Sequence, residues 1–546
     1  MKTPRRAAAR IALGTAIGAL LAACIGAAPD AAVSGSAKAA EVFEGPVPRA
    51  ACGAGSVPET DIQGRVSIED RQSGRSREGY RCNLELLGQY QGQGTTWVSQ
   101  SYRNCAYHSQ TLSSVAGATP GVNVVDVSDP AHPVLSERLT SPAFLGNTWE
   151  TLKVNEARGL LAGVQVGPVE GAVFFDIYDI GTDCLHPVLL NSVSGTQLSL
   201  PANTLGHEGQ WSPDGNTYWS TGLAGGLLTA IDVSDPASPA VVFTGSTGPV
   251  NHGFELSEDG NRLYMADIGN LGTDQVPNGM SIFDVSEVQQ RLPAAQIHKL
   301  GTVIWTDGAI GQHSIVVSWG GKPYIVFVDE SGAGAARIID ISDETAPRVV
   351  SKLKLEIHLP ENAELRSTDT AGNGTFGYEG HYCAVDRRAD PTAIACGYFQ
   401  SGIRVFDIRD PMSPREIAYY NPPAQVGKAA ELTGSEHASS ALGASGGAPA
   451  NLTADWCSSP PRFVGDDQLW ATCQDNGFMV LKFTNNAYPI AAVPAPVTPP
   501  PVVAPPPTVT TDADRSQFGG ALAPLGLLLL LGGAGLRRRP AFRSRR

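Results

Sequence analysis

The chain has 546 residues, with 53 acidic against 39 basic side chains and a net charge of −14. Ten of the basic residues sit in its two ends, so residues 29–518 carry 29 positive against 53 negative charges, net −24. That balance argues against nucleic acid and against an anionic membrane surface as partners, and it is compatible with cations.

The N-terminus carries Lys2, Arg5, Arg6 and Arg10 and then an uncharged apolar stretch from Ile11 to Ala28, the order of an export signal over residues 1–28. Within it, LAAC (residues 21–24) resembles a bacterial lipoprotein signal, in which the first mature cysteine, here Cys24, receives lipid. The alternative is a plain signal peptide cut later, near AKAA at residues 37–40. An N-terminal extension, residues 29–81, follows.

Residues 82–484 are dominated by β-branched apolar runs of four to six residues bounded by Gly, Pro, Asn and Asp, with no sustained helical period. An aspartate closes such a run at Asp126, Asp176, Asp232, Asp284, Asp340 and Asp407, recurring about every 50–67 residues. One four-stranded sheet per repeat predicts a β-propeller. In HEGQWS-PDG-NTYWSTG, LLTAIDV and PAVVFTG the four strands can be read directly, and SDPASP is the turn before the outermost one. The aspartate of DVSDP reads as a turn former accepting backbone N–H bonds, with a calcium pair of Asp126 and Asp129 as the alternative.

Seven units are counted, at about 97–140, 147–196, 206–245, 251–302, 312–356, 380–421 and 456–484. The seventh has three strands, and CNLELLGQY (82–90) is expected to supply its fourth. The predicted class is therefore all-β: a seven-bladed β-propeller closed by an N-terminal strand, with no exposed sheet edge in the ring.

Beyond it, residues 485–518 form a Pro-rich linker, an extended spacer. Residues 519–546 hold Gly519, Gly520, a leucine-rich run and Arg537, Arg538, Arg539, Arg543, Arg545 and Arg546. This tail resembles the glycine-glycine sorting signal of bacterial surface proteins, a membrane anchor being the alternative. The expected address is extracytoplasmic, in the bacterial cell envelope or on its surface, with the membrane engaged through the termini only.

VNVVDVSDP, TAIDVSDP, ARIIDISD and IRVFDIRDP together resemble the LVIVD-repeat family of bacterial and archaeal extracytoplasmic β-propellers. The resemblance implies fold and surface location; most members have no assigned activity. Units two, four and seven depart from the motif, to VFFDIYDI, SIFDVSEV and GFMVLKF.

Apart from Cys24 there are eight cysteines and no CxxC, which in an exported chain points to disulfides. Aligning the units places Cys383 opposite Cys396 and Cys457 opposite Cys473 across hairpins. Cys82 with Cys105 would then tie the closing strand to the first blade, leaving Cys52 with Cys184.

Four inner strands begin with histidine, at His207, His252, His313 and His381; Asp455 takes the matching place in unit seven, and Glu150 lies in unit two. The starts of inner strands gather around the channel mouth, so these six are the candidate ligands of a transition metal: copper, zinc or iron. The first reading of the four histidines is nonetheless structural, each anchoring its strand to the neighbouring blade, with the metal site as the alternative. A His-lined channel also resembles, more distantly, the metal-dependent selenium-binding protein and methanethiol oxidase propellers.

Two functions follow. One is a monomeric, envelope-anchored binding or scaffold module that takes a protein or glycan ligand on a loop face enlarged by the insertions 357–379 and 422–455. The other is a metal-dependent extracytoplasmic enzyme, an oxidoreductase among the options, built on the channel histidines.

Overall fold

Runs such as GVNVVD (Gly121–Asp126), LLTAID (Leu227–Asp232) and GIRVFD (Gly402–Asp407) bury almost every side chain, on both faces. Each is the third strand of a four-stranded sheet with another sheet stacked on either side, so it reads as continuous rather than alternating hydrophobicity. The computed structural model describes residues 45–111, 117–165, 173–191, 196–198, 207–268, 278–370, 376–425, 432–439 and 454–490. All of these belong to one compact unit, Met1–Ala491. Cys24, the signal segment, residues 491–518 of the linker, the arginine-rich tail and part of the 422–455 insertion lie outside the described residues. Among the described residues no helix is long and apolar enough to cross a membrane.

The strands form seven blades, all antiparallel. From the inside outwards, blade one is Ser99–Tyr102, Cys105–Gln110, Gly121–Asp126 and Val134–Leu139. Blade five, with the longest strands, is Ala309–Trp319, Lys322–Ser331, Ala336–Asp340 and Arg348–Leu353. Blade seven is Arg462–Val464, Gln468–Cys473 and Gly477–Phe483, with Leu84–Tyr90 paired outside them. The segment 82–90 divides: Tyr80–Cys82 adds a fifth strand to blade six, against Arg415–Asn421, before the chain crosses to blade seven. Asn83 makes the crossing with a positive φ of 56°, and its amide donates to the carbonyls of Ala51 and Ile417.

The repeated turn does two jobs. Asp126, Asp232, Asp284, Asp340 and Asp407 each accept the backbone N–H two residues on, at 2.8–3.1 Å, as an Asx-turn requires. Blade two corrects the sequence alignment. Asp179 occupies the strand-end position and accepts from Gly181, whereas Asp176 is buried and accepts the N–H of Ala143. The second job is adhesion between blades. Turn carbonyls of Leu185 and Pro411 accept from Ser136 and Ser351 on the outer strand of the preceding blade. At the equivalent contacts Gly88 faces Pro130 and Gly301 faces Glu344, so closely that a Cβ would overlap the carbonyl oxygen.

Two disulfides match the hairpin alignment, Cys383–Cys396 and Cys457–Cys473. The other two correct it: Cys82 pairs with Cys52 and Cys105 with Cys184, not Cys82 with Cys105 and Cys52 with Cys184. The reason is local. A bridge between Val57 and Arg81 folds the N-terminal extension back beside Cys82, while the Tyr107 hydroxyl donates to the Cys184 carbonyl where blade two abuts blade one. Four disulfides among the described residues point to an oxidising, extracytoplasmic environment.

The extension also covers one insertion. Arg65 pairs with buried Asp369 at 2.7 Å, and Tyr378 exchanges hydrogen bonds with the backbone of Val66. Residues 432–439 are likewise buried, with Ser435 and His437 bonded to Asp475.

Candidate metal centre

Each blade brings the start of its inner strand to one end of the channel. These positions hold Trp97, Glu150, His207 with Glu208, His252, Gln312 with His313, His381, and Asp455 with Trp456. Inner strands run side by side, and Glu150 and Glu208 form a parallel bridge between blades two and three. A further carboxylate, Glu330, comes from the end of the second strand of blade five.

The structure brings Glu150, His207, His252 and His381 together and adds Glu330. His207 Nε2 and His252 Nε2 are 2.8 Å apart. Glu150 places Oε1 2.9 Å from His381 Nε2, and Oε2 3.5 Å from His207 and 3.8 Å from His252. Glu330 Oε1 lies 3.2 Å from His252 and its Oε2 3.1 Å from His381. Glu150 with His207 and His252, and Glu150 with Glu330 and His381, each gather ligand atoms closely enough to hold a metal ion.

The orientation of the rings is fixed from behind. His381 Nδ1 donates to the Ser458 carbonyl at 2.7 Å, which turns Nε2 toward the carboxylates. His252 Nδ1 faces Glu208 Oε2 at 3.9 Å. Glu208 in turn takes Lys153 at 3.2 Å and His313 Nδ1 at 2.9 Å. Its carboxylate passes so close to Gly253 that a Cβ there would collide with it.

His313 thus sits behind the cluster on Glu208 rather than within it. Asp455 belongs to a different group, 3.9 Å from His437 and beside Asp475. It accepts the backbone N–H groups of Trp456, Asp475 and Asn476 and the Asn476 amide, and with His437 and Asp475 it forms a second group whose ligand atoms lie close enough to hold a metal ion. Glu330 was missed by the sequence reading; the signal was the acidic pair that ends the otherwise apolar run YIVFVDES. Its neighbour Asp329 turns the other way, to Trp305, Asn278 and Arg337.

Burial disfavours charge on every member, yet the cluster compensates internally. Burial opposes protonation of His252, but Glu330 and Glu150 prevail and push it up to about 10. The same contest, with Glu150 leading, pushes His381 up to about 9. His207, buried and beside His252, is pushed down to about 4. Burial raises both Glu150 and Glu330, but the imidazoles hold each below the ordinary carboxylate range. Two imidazolium rings therefore balance two carboxylates without an ion, and a divalent cation would replace their protons.

An aromatic wall closes one side. Trp97 lies 5.5 Å from His381 and 5.2 Å from Trp149, and Trp456 stacks on His437. His207 is the most exposed of the three clustered imidazoles, at 14% of its side chain. A separate cavity of about 210 Å³ is lined by Ser99, Gln100, Arg462 and Trp470, from blades one and seven.

No curated protein sequence matches the chain. Among solved structures it is similar to a functionally unknown protein from Desulfotomaculum acetoxidans, at 10% identity and TM-score 0.39, covering 60% of this chain and 89% of that one. It is similar also to the periplasmic gluconolactonase PpgL of Pseudomonas aeruginosa, at 14% identity and TM-score 0.34, covering 46% and 67%. A third is a putative 6-phosphogluconolactonase from Bacteroides uniformis, at 11% identity and TM-score 0.42, covering 69% and 95%. The LVIVD repeat matches residues 115–141 and 223–247, which hold the third and outer strands of blades one and three. With these matches and seven blades, the chain carries LVIVD repeats in a β-propeller, consistent with the LVIVD-repeat family.

Proposed function

We propose that the protein is an exported propeller whose channel mouth is a divalent-metal centre, and that the metal activates a small ligand or water there. The observation that carries this reading is the convergence of three imidazole Nε2 atoms and two buried carboxylates from blades two to six. His381 does bond the backbone of neighbouring blade seven, through Nδ1 and the Ser458 carbonyl, as strand anchoring expects; what anchoring does not require is that its Nε2 meets two carboxylates. The donors are nitrogen and oxygen, and the eight cysteines of the described residues are all in disulfides. Such a set suits zinc or iron better than copper(I).

The display reading, with a protein or glycan on the loop face, draws less support. The described parts of both insertions are tied down, one beneath the N-terminal extension and the other against Asp475. Export rests on the leader and the disulfides, and the C-terminal tail would anchor the protein.

The deciding experiment is metal content of the full chain, expressed with export into an oxidising compartment and purified without chelators or a histidine tag. Stoichiometric zinc or iron that is lost in His252→Ala supports the centre. Protein free of metal that binds none on addition of zinc or iron rejects it.

A further inference from the structure

We propose that the mouth is built for two divalent cations, bridged by the carboxylates of Glu150 and Glu330; this rests on the metal reading above. The five side chains fall into two groups. His207 and His252 stand together on one side, and His381 stands on the other. Each carboxylate spans the two groups. Glu150 gives Oε1 to His381 and turns Oε2 toward His207 and His252, and Glu330 gives Oε2 to His381 and Oε1 to His252. One oxygen per side from each of two carboxylates is the arrangement that holds a metal pair about 3.5–4 Å apart.

Donor number agrees. Three nitrogens and four oxygens exceed what one tetrahedral ion accepts. Two ions use them all: one takes His207, His252, Glu150 Oε2 and Glu330 Oε1, and the other takes His381, Glu150 Oε1 and Glu330 Oε2. The second ion has a fourth donor at hand, because the Gln312 amide lies 3.2 Å from His381 Nε2 and its two ends are interchangeable by a flip. Among the described residues Glu150 Oε2 accepts no hydrogen bond although it is buried, so this oxygen already faces inward without a proton donor.

The test is titration of the full chain, stripped of metal and checked for folding by circular dichroism, with cobalt(II). Two equivalents bound, with magnetically coupled spins, are the expected result. His207→Ala and His381→Ala should each retain one uncoupled ion. Asp475→Asn, which alters the separate His437 group, should keep both ions and their coupling. One equivalent in the parent, or two uncoupled ions, would overturn the bridged pair while leaving a metal centre in place. No binding would overturn both. Because the parent stoichiometry and coupling decide the matter alone, a variant that fails to fold does not blunt the test.

Discussion

Glu150 Oε1 and His381 Nε2 meet at 2.9 Å across the channel, one from the approach to blade two and the other from the approach to blade six. No single blade could make this contact. The ring has to close before the two side chains share a site, so a metal held there would couple its affinity to ring integrity.

That coupling separates ligands from supports. His252→Ala removes a donor from the cluster and should lower metal affinity by at least 100-fold with a modest change in melting temperature. His313→Ala leaves the cluster intact but removes one of the two groups that hold Glu208, which faces His252; a loss of about 10–100-fold is expected. Asp455→Asn should leave the metal of the Glu150 cluster in place and destabilise by about 2–3 kcal/mol, since it weakens a carboxylate that accepts several buried N–H groups. Metal per chain and melting temperature, measured side by side, resolve the three; equal metal loss in all would show that the loss is merely unfolding.

Blade adhesion gives a second prediction. Gly301 presses on the Glu344 carbonyl, and its counterparts in other blades are Gly88, Ser136 and Ser351. Gly301→Val forces blade four away from the turn of blade five and should cost on the order of 1–3 kcal/mol. Gly55→Ala, at a site with open space around it, is the comparison: its positive φ of 80° allows a smaller loss. Urea midpoints check both, and an unperturbed Gly301→Val would remove the turn from the list of inter-blade contacts.

Two buried groups act on the acid limb of stability with opposite signs. Burial pushes His108 down to about 4 and raises Asp267 to about 6. A histidine with a depressed folded pKa contributes stability above its unfolded value of about 6.5 and loses it as pH falls toward 4. An aspartate with a raised folded pKa does the reverse, contributing most below about 4 and losing it as pH rises to 6. The two therefore offset each other between pH 4 and 6. Asp267→Asn should gain about 1–2 kcal/mol at pH 7 and nothing at pH 4, steepening the acid decline. His108→Phe should flatten it. Chemical unfolding across pH 4–7 tests both, and parallel curves for parent and Asp267→Asn would contradict the assignment.

The architecture was legible because period and turn chemistry are local: each DVSDP aspartate bonds an N–H two residues away, so the sequence carries its own register. The histidines were legible for the same reason, as they open equivalent strands. Glu330 and Glu208 were not, because their partners come from other blades and the chain gives no local sign of the approach. Pairing of Cys52 and Cys105 failed similarly. The path of residues 45–81 back to blade six is fixed by long-range contacts such as Tyr419 with Glu59, which no spacing rule encodes. Asp176 shows the opposite error, in which a motif match three residues out of register put a buried aspartate in the place of Asp179.

The N-terminal path is held to the ring by a buried ionic group. Arg404, fully buried in the third strand of blade six, pairs with Glu59 of the extension and, at 2.9 Å, with Glu416 of its own blade. Burial opposes its charge, but the two carboxylates raise its pKa beyond the ordinary arginine value. Glu416 also accepts from Gln63 at 3.0 Å, so one ionic group clasps residues 59–63 to the ring. Removing a single partner leaves a buried charge uncompensated, and Arg404→Met should cost about 3–5 kcal/mol. Removing the set together does not: Arg404→Met with Glu59→Gln and Glu416→Gln should recover most of that loss, because the desolvation of all three charges disappears with their attraction. Limited proteolysis adds a local readout. The single variant should expose residues 45–70 to cleavage before the ring melts, whereas the triple variant should protect them. A triple variant as unstable as the single one would mean that the extension is held by the charges themselves rather than by the packing around them.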